Sequence, residues 1–525
     1  MRNESAFSYA RDNYQKFFYT INRKNYLFRA TFVNADGVVV DFQKDAIKDL
    51  FLQDQIYNPF VNGHIVIDNT EDVIERYKLS PQSSEFVDNI GERGYKTRGD
   101  ARDILLLSII PVDPSTNPYD ENSLDYNKVF GFQYVFILSN EVDVPSKTGK
   151  LKKYTIEDYD LEILKEKKIF FSTVNLLKKD KIAFLSDNDR EGFTGDSLKY
   201  ILQKGLNNPQ AVFTTLSGGN EVTPNFESGS SRLFYSSPNN YTALNDLMYM
   251  YTIHVSNSPG KDFSFLSKDD FTGEYTLESA SSIFQKAFNK QNDSGGQYFV
   301  ENLTIAGAQD NNNVIENDIK KPLIALELGE TSDIVDVKFF NTPGEAWQNN
   351  IKTTLVHSYN FERKMFDING VDGDIQRVKE DFSKLYVAPM KGRDNKPSPN
   401  FIINNTQKTN QNFDNRFLVY SEDSDALKLA FGRNEILKNA LKLNLGVEIT
   451  VQGGFQRKSG KFISIDRTGS YVDNDFDNKF LGIYFILQVD HIFKDNNSYY
   501  NKIIAVKTYH FNDPKINENI PWTRK

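Results

Sequence analysis

Cysteine is absent from this 525-residue sequence, which excludes a disulfide framework, a thiol nucleophile and a thiolate metal site. Histidine is scarce. His64, His254, His357, His491 and His510 are scattered, and no two share the one-turn spacing of a metal-binding helix. His491 alternates with Val489 and Phe493 along a strand-like tract, so it is expected in a core and not in catalysis. Long apolar runs are lacking too: the longest are short tracts such as Ile104 to Ile110, well under the roughly 20 residues that span a bilayer. Met1 to Phe17 is polar and mixed in charge with no apolar signal core. The expectation is a soluble chain with no membrane segment and no standard export signal. Positive charge is in deficit, with 62 Lys plus Arg against 71 Asp plus Glu and a net charge of −9. General attraction for phosphate backbones or anionic lipid is thereby excluded, and no tight nucleic-acid binding is expected.

Recognisable catalytic and ligand motifs are missing as well. Asp187, Asp189, Glu191 and Gly192 imitate the start of a calcium loop, but the twelfth position is Leu198 where a bidentate Glu is needed. Asp473, Asp475 and Asp477 lack both the loop glycine and the closing Glu, and read as a solvated loop. Gly454 to Lys461 imitates a phosphate loop with one residue too many between the glycines, and Phe462 stands where a hydroxyl residue belongs. No Gly-x-Ser-x-Gly elbow occurs. The expectation is therefore no enzyme, with no catalytic, cofactor or metal residues and no cofactor.

Aromatic side chains are plentiful. The 41 Phe and 27 Tyr raise the aromatic share to 13% although apolar residues reach only 39%, which favours a folded, strand-rich protein over a disordered one. A chain this long exceeds one core and calls for roughly three or four domains. The clearest stretch runs from Leu441 to Tyr509. Leu441, Leu443, Leu445, Val447, Ile449 and Val451 are apolar at every second position, with Lys442, Asn444, Glu448, Thr450 and Gln452 between them, the pattern of a half-buried strand. Short strands are expected at Lys461 to Asp466, Gly482 to Phe493 and Tyr499 to Tyr509, forming a meander. Its expected barrel core is Leu443, Leu445, Val447, Ile449, Ile483, Phe485 and Val489.

Earlier in the chain, Tyr26 to Val33 and Val38 to Phe42 flank Asp36-Gly37 as a hairpin. Leu50 to Tyr57 and Gly63 to Asp68 read as strands around an Asn58-Pro59 turn, followed by strands at Ile104 to Ile110 and Phe130 to Leu138. Helices are expected after Thr194, with Leu198, Ile201 and Leu202 on one face, at Tyr241 to Tyr251, with Leu244, Leu247, Met248 and Tyr251 on one stripe, and at Ser279 to Phe288. Lys261 to Leu266 is strand-like. Val112 to Asn127, Asn207 to Ser231 and Lys391 to Thr409 read as polar loops.

Three tracts together resemble a known family. They are the strand, proline turn and Gly-led strand ending at Asp68; Leu355 to Asn360 with Arg363-Lys364-Met365-Phe366; and Leu443-Asn444-Leu445-Gly446 with Gly482 to Phe493. In this order they resemble the central hub proteins of contractile phage baseplates, whose fold is shared with the N-terminal part of type VI secretion spike proteins. The resemblance implies a mainly β fold with α+β parts: two antiparallel β-barrel domains, a mixed α/β domain and loop and helix insertions. The implied layout is an N-terminal arm (1–24), a first barrel (25–175), the α/β domain (176–329), a second barrel (330–375 and 440–512) split by an insertion (376–439), and a tail (513–525). It implies a virion protein made in the host cytoplasm: a homotrimer whose barrels form a ring under the hexameric tail tube or tube-initiator protein. That ring would carry a central spike or tail lysozyme, meet other baseplate wedge proteins, and let DNA pass. Two alternatives stand beside it, a carbohydrate-binding or depolymerising tail protein and the hub of a related bacterial contractile injection system.

Overall fold

The computed structural model describes residues 17–21, 24–33, 39–76, 103–112, 117, 132–146, 149–169, 192–206, 224, 226–229, 232–233, 235–257, 263–269, 273–280, 282–283, 323–328, 334–340, 354–360, 365–371, 416–420, 438, 445–455, 457–467, 482–495 and 497–509. The acidic tracts at Asp187 and Asp473, the Asp36-Gly37 turn, most of the three expected polar loops and of the Ser279 helix, and Leu443 lie outside them.

Strands run in chain order as β1 (Phe18–Ile21), β2 (Lys24–Val33), β3 (Val39–Phe42), β4 (Ile47–Gln55), β5 (Asn58–Asp68), β6 (Ile104–Val112), β7 (Phe132–Val144) and β8 (Leu151–Asp158). After these come β9 (Gly192–Phe193), β10 (Arg232–Leu233), β11 (Ser264–Lys268), β12 (Tyr275–Ser279), β13 (Leu323–Leu328) and β14 (Ile334–Phe340). The rest are β15 (Thr354–Asn360), β16 (Met365–Val371), β17 (Arg416–Tyr420), β18 (Gly446–Gln452), β19 (Phe462–Arg467), β20 (Gly482–Lys494) and β21 (Tyr499–Tyr509). The helices are α1 (Val73–Arg76), α2 (Tyr159–Glu166), α3 (Thr194–Leu206) and α4 (Ala243–Ile253).

Fourteen of these strands form one curled sheet, in the order β1-β2-β6-β7-β8-β5-β4-β20-β21-β18-β14, with β3 beside β2 and β19 joining β13 to β20. The fold is thus mainly antiparallel β, and among the described residues one continuous sheet carries two main hydrophobic cores, which divide it into a first and a second half. Alternation explains the first half: Phe28, Ala30 and Phe32 of β2, Leu105, Leu107 and Ile109 of β6, Phe132, Tyr134 and Phe136 of β7, and Tyr154 and Ile156 of β8 all enter one core. On the other side of β6 and β7, Ile104 and Ile137 are covered by Tyr159 and Ile163 of α2, which is why those strands read as nearly continuous apolar runs.

The second core gathers Val447, Ile449 and Val451 of β18, Ile463 and Ile465 of β19, Tyr484, Ile486 and Val489 of β20, and Ile503 and Ala505 of β21. Leu445, just before β18, is also buried. Phe485 is fully buried but faces the other side of β20, where its ring meets Phe462 at 5.1 Å and Phe265 at 5.7 Å. A register shift between Ile486 and Gln488 then changes phase, so that Val489 returns to the side of Tyr484 and Ile486. For Ile483 only the backbone is described, paired with Ser464 and Tyr509.

Several expectations change. The last four strands are not a meander in sequence order: β18 lies between β21 and β14, while β19 pairs with β20. Leu323–Leu328, expected at the end of the α/β domain, pairs in parallel with β19. Leu355 to Asn360, expected to open the second barrel, instead joins β16 and β17 in a separate three-stranded sheet. The turn between β4 and β5 is Ile56-Tyr57, and Pro59 sits inside β5. Its missing N–H is tolerated because β8 begins to pair with β5 only at Asn62.

Helix α3 buries Leu198, Ile201 and Leu202 as expected. Helix α4 is rotated from the expected stripe: Ala243, Asp246, Leu247, Met250 and Ile253 are buried, and Met248 is exposed. Among the described residues no helix is long and apolar enough to cross a membrane.

Candidate functional site

The seam between the two halves of the sheet gathers a continuous row of polar side chains among the described residues. It is made by β4 and β20, which run antiparallel from Gln55 opposite Gln488 to Asp49 opposite Lys494. Cross-strand partners share a face, and one row of them crosses seven strands: Asp336, Thr450, Lys502, Asp490, Gln53, Asn62 and Glu157. Every member is polar or charged. Their strand neighbours Ile449, Val451, Leu52 and Val61 are core residues, so the row lies on the opposite, outer face of both halves at once.

Side chains tie this row together at its centre. Asp490 Oδ1 accepts from Gln53 Nε2 at 3.2 Å and from Gln488 Nε2 at 2.8 Å, and Gln55 Nε2 donates to Gln488 Oε1 at 3.1 Å. Burial pushes the Asp490 carboxyl above its ordinary value, against the pull of its two amide donors. At the far end of the seam Lys494 meets Asp49 at 2.9 Å, and His64 Nε2 lies 3.7 Å from the same carboxylate. Burial opposes ionisation of Asp49, but His64 and Lys494 outweigh it and hold the carboxyl below its usual range. Gly63 is required by this packing, since a Cβ there would lie 1.8 Å from the Phe51 carbonyl oxygen.

On the inner face the loop after β18 reaches into the first core. Phe455 packs within 6.1 Å of Tyr26, Phe132, His491, Phe493 and Tyr499. Its path is fixed by Asn501, whose Oδ1 accepts from Gly454 N at 2.7 Å and from Arg457 Nη1 at 3.1 Å. Gly453 passes over the Tyr499 ring, which a Cβ would meet at 2.2 Å. Of the two glycines that imitated a phosphate loop, Gly454 gives its N–H to Asn501 and Gly460 adopts a positive φ of 79° in the turn before β19, so both serve the path of this loop. His491 is the core histidine expected, its Nδ1 2.7 Å from the Tyr499 hydroxyl. Asp54 accepts from the Ser459 amide at 2.7 Å and hydroxyl at 2.8 Å, locking the same loop to β4.

A second polar focus joins the β11–β12 hairpin to the first half. Lys268 Nζ lies 2.9 and 2.8 Å from the two oxygens of Asp158 and 2.8 Å from Asp160 Oδ2. Asp158 also accepts from the Asp160 amide at 2.8 Å as the N-cap of α2, and the Tyr275 hydroxyl donates to Asp160 at 2.8 Å. Burial pushes Asp158 up to about 6, opposed by Lys268 and reinforced by Asp160. For Lys268 burial acts downward, yet the two carboxylates prevail and hold the ammonium above its ordinary value. In the sequence Asp158 and Asp160 sit in a charge-rich tract, and no local pattern signals their burial.

Elsewhere, Thr194 Oγ1 is 2.9 Å from His254 Nδ1, and Asp246 accepts from Tyr235 at 2.7 Å and Ser237 at 2.5 Å. Among the described residues no three His, Asp or Glu side chains are grouped to hold a metal ion.

No family model and no curated protein matches the chain. Solved structures with which it aligns include a tail protein from Neisseria meningitidis, at 7% identity over 94% of this chain and 99% of that one, with a TM-score of 0.43. A 43 kDa tail protein of prophage MuSo2 from Shewanella oneidensis aligns at 8% identity over 91% and 97%, with a TM-score of 0.41. A Francisella PdpA–VgrG complex aligns at 9% identity over 94% of this chain and 55% of that one, with a TM-score of 0.38.

Proposed function

We propose that this chain is a structural hub protein of a contractile-tail baseplate. It works as a homotrimer whose paired half-barrels form a ring of six-fold-like symmetry, joining the hexameric tail tube to a central spike and leaving a passage for DNA. The observation that carries this reading is the polar row crossing seven strands of both halves. Two half-barrels welded edge to edge hold a fixed angle to one another. Three copies of such a rigid pair place six similar units around an axis, which is the match a hexameric tube requires. The outer face suits a contact between subunits that are made soluble and then assemble, because polar, half-buried rows dock without exposing an apolar patch beforehand. The resemblance of the tract ending at Asp68 and of the Gly482 to Phe493 tract to the baseplate hub family points the same way, whereas Leu355 to Asn360 lies in a separate sheet and lends it no support.

Mass photometry of the purified chain, alone and with its spike partner, is the direct measurement. A trimer with six-fold-like end views in negative stain is expected; a monomer under both conditions overturns the reading. Asn62→Arg, in the polar row, is expected to weaken the trimer while leaving the monomer's melting temperature within about 2 °C.

In this reading the chain has no turnover of its own, and any peptidoglycan cleavage in the assembly belongs to a partner. Zymography of the isolated chain tests this. A clearing band lost on changing a single Asp or Glu would refute it.

A further inference from the structure

We propose that Lys268 and Asp158 form an intramolecular amide cross-link between β11 and the end of β8. The geometry is that of a reaction site and not only of an ion pair. Both Asp158 oxygens lie within 2.9 Å of Nζ, which puts the carboxyl carbon about 3–3.5 Å away, close enough to react once the face of the carboxyl is turned to the amine. Rotation of the carboxyl about its last torsion turns its face to the amine. Asp158 has no exposed side-chain surface and Lys268 has 9%, so little water competes. The Tyr134 and Tyr275 rings lie 5.3 and 5.7 Å from Nζ.

Each remaining requirement has a residue. The Asp160 amide already donates to Asp158 Oδ1 at 2.8 Å and would stabilise the oxyanion of the tetrahedral intermediate. The Asp160 carboxylate, 2.8 Å from Nζ and held by the Tyr275 hydroxyl, is the proton carrier. In this low-dielectric site the ammonium passes a proton to the Asp158 carboxylate, giving neutral amine and neutral acid. Burial pushes the Asp158 carboxyl toward holding that proton while the two carboxylates keep it on Lys268 in the resting pair, so the neutral pair is a minor state from which the reaction starts. Nζ then bonds to Cγ and the carbon–hydroxyl bond breaks. Asp160 carries the amine's proton to the departing oxygen, and one water leaves. No oxidant or reductant is needed. A chain with no cysteine has no disulfide with which to fasten this hairpin, and the amide would serve that purpose.

Intact mass spectrometry of the denatured full-length chain is the test. The expected result is a mass lower than that of the sequence by one water, with a branched tryptic species joining the segments that contain Asp158 and Lys268. Lys268→Arg keeps the positive charge but cannot form the amide, so it should show the full sequence mass and run more slowly in a denaturing gel. Asp160→Asn, which removes the proton carrier, should leave most of the chain unlinked. A wild-type chain at its full sequence mass, after prolonged incubation at neutral pH, overturns the proposal without reference to any variant.

Discussion

Lys507 lies on β21 with no exposed surface, on the side of the strand shared with Ile503 and Ala505. Burial lowers its pKa from 10.5 to about 7. The sign of the consequence is fixed by proton counting. Between about 7 and the unfolded value, the unfolded chain carries a proton that the folded chain does not, so stability rises with pH across that window and is lowest when the ammonium is charged in the core. The cost of keeping the charge is of order 3–5 kcal/mol below pH 7. Wild-type melting temperature is expected to climb from pH 6.5 to pH 9. Lys507→Met should melt higher at pH 6.5 and lose most of the climb; a lower melting temperature for the methionine variant would show that the ammonium is held by favourable contacts. Gly63 is a residue of the opposite kind, where the absence of a side chain is what matters. Gly63→Ala forces β5 away from the Phe51 carbonyl, and chemical denaturation should show a loss of at least about 2 kcal/mol.

At the level of the element, β18 offers a paired test of which face is inward. Ile449 belongs to the second core and Thr450 to the outer polar row beside Lys502. Ile449→Asp should cost several kcal/mol and abolish soluble protein, whereas Thr450→Asp should stay within about 0.5 kcal/mol of wild type in thermal melts. Equal damage from both would mean that the strand is covered on both sides. This inward face was legible in the sequence because a period of two is a local property. The strands at Gly482 and Tyr499 were legible for the same reason, as was the buried stripe of α3. Pairing partners were not legible: nothing in Leu323 to Leu328 announces a parallel neighbour at Phe462, and the seam of the candidate site joins tracts more than 400 residues apart. Helix α4 shows a third limit. It is apolar almost all round, and its inward face is set by Asp246, which is drawn in by the hydroxyls of Tyr235 and Ser237. A side chain counted as polar in the pattern thus fixes the rotation of the helix.

For the whole molecule, Phe455 measures how strongly the two halves are coupled, since it arises beside the second core and is buried in the first. Phe455→Ala should cost about 3–5 kcal/mol, and protection of first-half amides, including those of β2 and β7, should fall with it in hydrogen exchange. Protection lost only in β18–β21 would mean that the halves are independent. The β4–β20 seam also sets an order of events during synthesis. Lys44 donates to the Lys494 carbonyl, 450 positions away, and Tyr26, near the start of the first half, packs against Phe455 and Tyr499. The first core is therefore missing one of its walls until residues 482–509 have left the ribosome. At roughly 5–20 residues per second, β2 to β8 wait on the order of half a minute with an open edge at β4. High contact order slows closure further, and this nascent half is the stage at which chaperone capture and misassembly between neighbouring chains are decided.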